Sequence, residues 1–144
     1  MATLLESLPA DRPLAAGERG RLVAEILAAY VGARRELGRR PIAAVVERLR
    51  AGGGQLRAEA PDTLVEARRL GRAVARTLAL TPGDTRCLVR SLVLIRLLSR
   101  RGLAARLVIG ARAEPDFLAH AWVEHSGEPV LSPGDGSFGR LTEL

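Results

Sequence analysis

Cysteine is nearly absent from this chain, and long apolar runs are absent as well. The sequence has a single cysteine, Cys87, in 144 residues. A lone thiol has no intrachain disulfide partner, which is typical of proteins in a reducing compartment. The apolar run LVLIRLL is interrupted by Arg96, and the first residues do not follow the pattern of a signal peptide. We therefore expect a cytoplasmic protein with no membrane segment.

Lysine is also missing, so all 22 basic residues are arginine, and with 16 acidic residues they give a formal net charge of +6. The arginines are spread along the chain, usually beside Glu or Asp. Nucleic-acid binding favours a concentrated basic stripe or aromatic stacking platforms, yet the chain has one Trp, one Tyr and two Phe. We therefore expect solvated arginine faces and no nucleic-acid partner, although a basic surface can attract an acidic peptide.

The first half of the chain has the apolar spacing of helices, and its length suits a single domain over residues 1–144. Apolar residues three and four apart predict a helix over residues 15–36. Pro41 predicts the start of a second helix, which ends at the AGGG segment of residues 51–54. Pro61 predicts the start of a third helix.

A fourth helix is predicted after the Thr-Pro-Gly stop at residues 81–83. Either Asp84 or Thr85 has the side chain to cap it. It runs through Cys87 and ends at Gly102, since glycine commonly follows the last turn of a helix.

The second half of the chain changes to the pattern of strands. Strands are predicted over residues 105–111, 117–125 and 128–131. Ser126-Gly127 forms the two-residue turn of a hairpin that pairs His125 with Glu128. Helices followed by a small antiparallel sheet predict an α+β fold, with the helix that carries Cys87 packed against the sheet.

Cys87 and His120 form the most informative pair in the sequence. A thiol at a helix N-terminus gains thiolate character from the oriented backbone N–H groups. His120 follows 33 residues later in the strand AHAWVE, where it can accept the thiol proton and later protonate a leaving amine. Each residue taken alone is more often a core residue, so the pair carries the prediction.

The order of a cysteine on a helix and a histidine on a following strand is that of papain and transglutaminase-like enzymes. The segments TRCLVRSLVLIRLLSRRG and AHAWVEHSGEPVLSPGDG resemble the protease domain of lasso-peptide leader peptidases, the microcin-processing B-protein family, over roughly residues 80–140. The resemblance implies a transglutaminase-like catalytic core over residues 61–144 after a helical region at 1–60. It also implies that Cys87 is the nucleophile and His120 the base.

The third catalytic residue departs from the family pattern. The resemblance implies an acidic residue on the strand after the histidine, and the aligned position is Ser132. The predicted hairpin brings Asp135 within reach of His120, so Asp135 is the expected orienter and Ser132, through its hydroxyl, is the alternative. Glu124 lies on the same strand face but about 13 Å away along the strand. A Cys-His-Asn arrangement is excluded because the chain has no asparagine.

Other residues near this pair have two interpretations. Trp122 shares a strand face with His120, so it either walls the cleft or is the largest residue of the core. His125 lies on the opposite face beside the turn and is expected to be solvated. The one glutamine, Gln55, lies far upstream, so backbone N–H groups, including that of Cys87, are the expected oxyanion donors.

The predicted function is that of a Cys-His-Asp cysteine peptidase that removes the leader from a ribosomally made lasso-peptide precursor. No cofactor or metal is expected, since one cysteine and two histidines are too sparse for a zinc site. The residues before 80 lack the strand-rich pattern of a leader-recognition domain. The implied partners are therefore the precursor leader peptide, a separate leader-binding protein and the lasso cyclase, with the helices at 15–50 as candidate docking surfaces.

Three alternatives remain at this stage. A thiol acyltransferase would use the same nucleophile and base with an amine as acceptor. A non-catalytic adaptor would use the fold to bind peptide, and the missing acid at Ser132 favours it. A helical nucleic-acid-binding protein rests only on net charge.

Overall fold

The apolar-periodic segments fold as helices, and the β-branched segments that follow them form a sheet. The computed structural model describes residues 15–80, 87–114, 117–131 and 138–144. Within these ranges the helices are α1 (Ala16–Leu37), α2 (Ile42–Ala51), α3 (Pro61–Ala79) and α4 (Cys87–Arg100), and the strands are β1 (Arg106–Arg112), β2 (Leu118–His125), β3 (Glu128–Pro129) and β4 (Gly139–Glu143). The predicted α+β class is confirmed.

Helix α4 is the centre of the core, because it contacts the other three helices as well as β1 and β2. Between Leu92 and Leu98 every side chain is fully buried except that of Arg96, which is half-buried. Burying one such aliphatic side chain stabilises the fold by about 1.5–3 kcal/mol, so packing holds α4, and with it Cys87, firmly in place. No helix in the described ranges has both the length and the apolar composition that crossing a bilayer requires.

Helix α4 stops where the sequence predicts, at Gly102. The Leu103 N–H donates to Leu98 O at 2.9 Å and the Gly102 N–H donates to Ser99 O at 3.1 Å, the paired bonds of a Schellman ending. Gly102 has a φ of 71°, and a β-carbon there would clash with the Gln55 carbonyl oxygen. Glycine at this position therefore lets the chain turn into β1.

The four strands of the described ranges form an antiparallel sheet in the order β3-β2-β1-β4. Ser126 and Gly127 have φ angles of 55° and 76°, as a two-residue hairpin turn requires, and His125 pairs with Glu128. The predicted hairpin and its register are confirmed. Strand β3 is shorter than predicted, because its ladder covers only Glu128–Pro129.

Strand β4 was not predicted from the sequence. It pairs with β1 and all of its residues are exposed. The segment GRLTE does not alternate apolar and polar residues, which is the pattern that marks a half-buried strand. Its pairing is visible only in the tertiary structure.

Candidate active site

Cys87 is held against strand β2 by a hydrogen bond to its sulfur. The Ala121 backbone N–H donates to Cys87 Sγ at 3.4 Å, and the cysteine is half-buried. One turn along α4, Ser91 Oγ donates to the Cys87 carbonyl oxygen at 2.8 Å. Because Ala121 follows His120 directly, the structure places the thiol beside the peptide bond that joins these two residues.

The hydrogen-bonding pattern of β2 explains why the Ala121 N–H is available to the sulfur. The N–H and C=O of one strand residue point to the same side. Val123 O accepts a bond from Val130 N–H at 2.9 Å, so the odd-numbered residues of β2 direct their backbone groups away from β1. The Ala121 N–H therefore points to the same side, and the sulfur occupies the place of a neighbouring strand.

His120 lies on the other face of β2 from the Ala121 side chain, because side chains alternate along a strand. It pairs with Gly110 of β1 and is half-buried. Its ring stacks on Trp122, with centroids 6.0 Å apart at 26°, and tilts against Phe138, with centroids 5.2 Å apart at 34°. Two aromatic rings therefore restrict where the imidazole can lie.

Trp122 is 4% exposed but lies outside the main hydrophobic cluster around α4. Its position depends on Gly110, since a β-carbon there would lie 2.9 Å from Trp122 Cζ3. The indole Nε1 donates to Glu124 Oε2 at 3.0 Å. Trp122 thus belongs to a second small buried cluster, with Gly110 and Glu124, on the face that carries His120.

Glu124 is the charged centre of that face. Arg140 Nη2 donates to the same Glu124 Oε2 at 2.6 Å. Burial acts to raise the pKa of Glu124, but the hydrogen bonds from Trp122 and Arg140 and the charges of Arg140 and Arg106 outweigh it and lower the pKa overall. The carboxylate of Glu124 therefore holds the Trp122 indole in position and binds Arg140 of β4.

The expectation that His125 is solvated is wrong. His125 is 2% exposed. Its Nδ1 lies 2.7 Å from Ala104 O and its Nε2 lies 2.9 Å from Thr63 Oγ1. Since a carbonyl oxygen only accepts, Nδ1 donates the first bond. His125 therefore joins the end of β2 to the start of α3 and to the segment after α4.

The two candidates for the third catalytic residue, Asp135 and Ser132, lie outside the described residues. The same holds for Asp84 and Thr85, the candidate caps of α4. The described hairpin register, on which the choice of Asp135 depends, agrees with the prediction as far as Glu124 opposite Pro129. The role of Asp135 stays a prediction.

Sequence reasoning missed Phe138, Gly110 and Arg140 as parts of this face. A signal existed for Gly110, because a glycine inside a strand often marks a bulge or a close approach, and the β1–β4 register shifts between Ile109 and Gly110. Phe138 directly precedes β4 and Arg140 lies in it, and the β4 segment carries no strand pattern. Within the described ranges no three His, Cys, Asp or Glu side chains come together as a metal site.

An α+β domain that holds a thiol beside a strand with an imidazole suits a fold of the cysteine peptidase and acyltransferase type. The model of the transglutaminase-like superfamily matches residues 27–143, which is well over half of the chain. The chain belongs to the transglutaminase-like superfamily. Its members are usually cysteine peptidases or transferases. No curated protein and no solved structure gives a significant match.

Proposed function

We propose that this protein is a cytoplasmic cysteine peptidase that removes the leader peptide from a ribosomally synthesised lasso-peptide precursor. Membership of the transglutaminase-like superfamily supports thiol-based acyl transfer. The resemblance of residues 80–140 to lasso leader peptidases supports the substrate. The observation that carries the proposal is the hydrogen bond from the Ala121 N–H to Cys87 Sγ, which holds the thiol next to the strand position of His120.

In the proposed reaction Cys87 Sγ attacks the carbonyl carbon at the end of the leader and forms a thioester with it. The bond to the core peptide breaks, and His120 transfers the thiol proton to the departing amine. Water then attacks the thioester carbonyl, and His120 takes a proton from the water and returns it to the sulfur. The leader leaves as a carboxylic acid, and the thiol is regenerated.

The surrounding residues have supporting roles in this proposal. Backbone N–H groups at the start of α4, including that of Cys87, hold the developing oxyanion. Asp135 orients His120, with Ser132 as the alternative. Trp122 and Phe138 cover part of the imidazole ring, which limits the access of water to the base.

Recognition of the leader is proposed to depend on a separate leader-binding protein, with the lasso cyclase as a further partner. The secondary structure described over residues 15–60 consists of helices α1 and α2, which supports a helical region ahead of a catalytic core at 61–144. A partner that holds the leader raises the effective substrate concentration at the cleft. Cleavage should therefore be slow without it.

The test is cleavage of a synthetic precursor, followed by mass spectrometry of the leader and core products. The wild-type protein should release both, faster with the leader-binding protein than without it, and Cys87→Ala should release neither. Circular dichroism of Cys87→Ala checks that the fold is kept. A folded Cys87→Ala variant that cleaves the precursor would end the cysteine-peptidase proposal, and equal rates with and without the partner would end the proposed partner dependence.

The fate of the thioester separates the peptidase from the alternatives. Hydroxylamine added at increasing concentration diverts a thioester to a hydroxamate, which mass spectrometry distinguishes from the free acid. A peptidase gives the free acid when water is the only acceptor. An acyltransferase gives product only when an amine is supplied, and an adaptor binds the leader without forming either product.

A further inference from the structure

Arginines outnumber acidic residues in one cleft between α1, α2 and α4. The cleft has a volume of about 420 Å³, and five arginines line it: Arg35, Arg39, Arg48, Arg96 and Arg100. Glu36 is the one acidic residue in its wall, which leaves a formal charge of +4. Two other clefts in the described ranges have arginines and glutamates mixed in their walls.

Most of this positive charge is not neutralised by the protein. Glu36 Oε2 already accepts from Arg40 at 2.9 Å and from Arg48 at 3.0 Å. Arg35, Arg39 and Arg100 form no ion pair with any residue that the structure describes. An unbalanced set of guanidinium groups around a concave surface attracts anions. It suits carboxylates, because one guanidinium can donate two parallel hydrogen bonds to one carboxylate.

Arg96 gives the cleft a fixed charge. It is half-buried among the fully buried side chains of Leu92–Leu98, and its Nη1 donates to Leu49 O at 3.1 Å. A β-carbon at Gly52 would lie 2.7 Å from the same Nη1, so glycine at that position leaves room for the guanidinium. Because Arg96 is held by the end of α2, little side-chain entropy is lost when it binds an anion.

The floor of the cleft is small and apolar. Ala28, Ala29 and Gly32 of α1 line it together with Leu49. A β-carbon at Gly32 would meet no atom within 4 Å, so the backbone of a ligand can approach α1 closely here. None of the lining residues is aromatic, so the cleft offers no surface on which a nucleic-acid base could stack.

We propose that this cleft binds an acidic segment of a partner protein, with its carboxylates on the arginines and its small apolar side chains on the floor. Arg96 lies nine residues after Cys87, roughly 13 Å along α4 at 1.5 Å per residue, so the cleft is separate from the candidate active site. The inference does not depend on the cysteine chemistry. Its test therefore measures binding and needs no cleavage.

The probe is a fluorescein-labelled, glutamate-rich helical peptide, followed by fluorescence anisotropy at low and at physiological salt. The double variant Arg35→Glu/Arg100→Glu should bind it at least about tenfold more weakly, since attractive rim charges become repulsive. The control Arg19→Glu/Arg76→Glu changes the net charge equally at two exposed arginines outside the cleft. It should lose no more than about threefold, as expected for distant, screened charges.

A second pair of variants tests the floor. Gly32→Leu places a side chain in the cleft, and Gly20→Leu is its control, because a β-carbon at either position on this helix meets nothing within 4 Å. Gly32→Leu should weaken peptide binding while Gly20→Leu leaves it unchanged. Equal losses for the two double charge variants would overturn the proposal. So would oligothymidylate of matched length binding more tightly than the peptide with the same sensitivity to Arg35→Glu/Arg100→Glu.

Discussion

Replacing each of the two histidines by phenylalanine separates their roles, because the substitution is the same and the surroundings differ. His125 is 2% exposed and bonded to Thr63 Oγ1 and Ala104 O. Phenylalanine keeps a ring at that position but makes neither hydrogen bond. His120 packs between the rings of Trp122 and Phe138, and phenylalanine preserves that packing.

The structure sets the size of the effect. Each lost hydrogen bond costs about 0.5–1.5 kcal/mol, and a buried polar group left without a partner costs about 1–3 kcal/mol. His125→Phe loses two hydrogen bonds and leaves the Ala104 carbonyl without that donor. We therefore expect the free energy of unfolding to fall by about 2–4 kcal/mol. At about 2–4 °C per kcal/mol for a domain of this size, 3 kcal/mol corresponds to a fall in Tm of roughly 6–12 °C. His120→Phe keeps the ring packing at a half-buried position, so we expect a smaller loss of stability than for His125→Phe.

The assay is urea denaturation at neutral pH, followed by far-UV circular dichroism, with the m-value compared among the variants. A double-mutant cycle with Thr63→Val measures the coupling between Thr63 and His125 directly. A loss of less than about 1 kcal/mol for His125→Phe, or no coupling between Thr63 and His125 in the cycle, would show that the buried network does not hold β2 in place.

Three further predictions concern Glu124, Gly110 and Asp135. The pKa of Glu124 is lowered by its hydrogen bonds against the opposing effect of burial. A carboxylate whose folded pKa lies below its unfolded value of about 4.3 stabilises the fold fully above that pH and less as the pH falls through the folded pKa. The urea midpoint of Glu124→Gln should therefore vary less between neutral and acidic pH than that of the wild type, and parallel curves would contradict this. Gly110→Val pushes against the indole ring, so we expect a loss of about 1–3 kcal/mol and red-shifted fluorescence from the single tryptophan; an unchanged spectrum would refute the contact. Asp135→Asn should lower precursor turnover more than about tenfold, since misorienting a catalytic histidine can cost up to about 10⁴, while Ser132→Ala stays within a few-fold and Ser132→Asp partly rescues Asp135→Asn. Full activity of Asp135→Asn with loss in Ser132→Ala would make Ser132 the orienter.

Local signals in the sequence predicted much of the fold. The helix stop at Gly102 and the hairpin turn at Ser126-Gly127 depend on backbone conformations that few residues adopt. The buried helix α4 follows from an apolar pattern on all of its sides. These features need no knowledge of distant contacts, so they could be predicted before the structure.

The remaining features depend on residues far apart in the chain. His125 is buried, and its ring is bonded to Thr63, which lies 62 residues away in the chain. Strand β4 forms by hydrogen bonding to the free edge of β1. The ion pair between Glu124 and Arg140 depends on this pairing of β1 with β4. In the same way the order of Cys87 and His120 predicted a shared site, but the hydrogen bond from the Ala121 N–H to the sulfur could be found only in the structure.

The central claim is that Cys87 forms a thioester with the leader, with His120 as its base. The direct measurement is acid quenching of the wild-type protein during precursor turnover, followed by proteolytic digestion and mass spectrometry of the peptide that contains Cys87. The proposal predicts a leader fragment attached to Cys87, lost on treatment with hydroxylamine, and no such adduct in Cys87→Ala or His120→Phe. Turnover of the precursor with no adduct on Cys87, together with cleavage by Cys87→Ala, would contradict it.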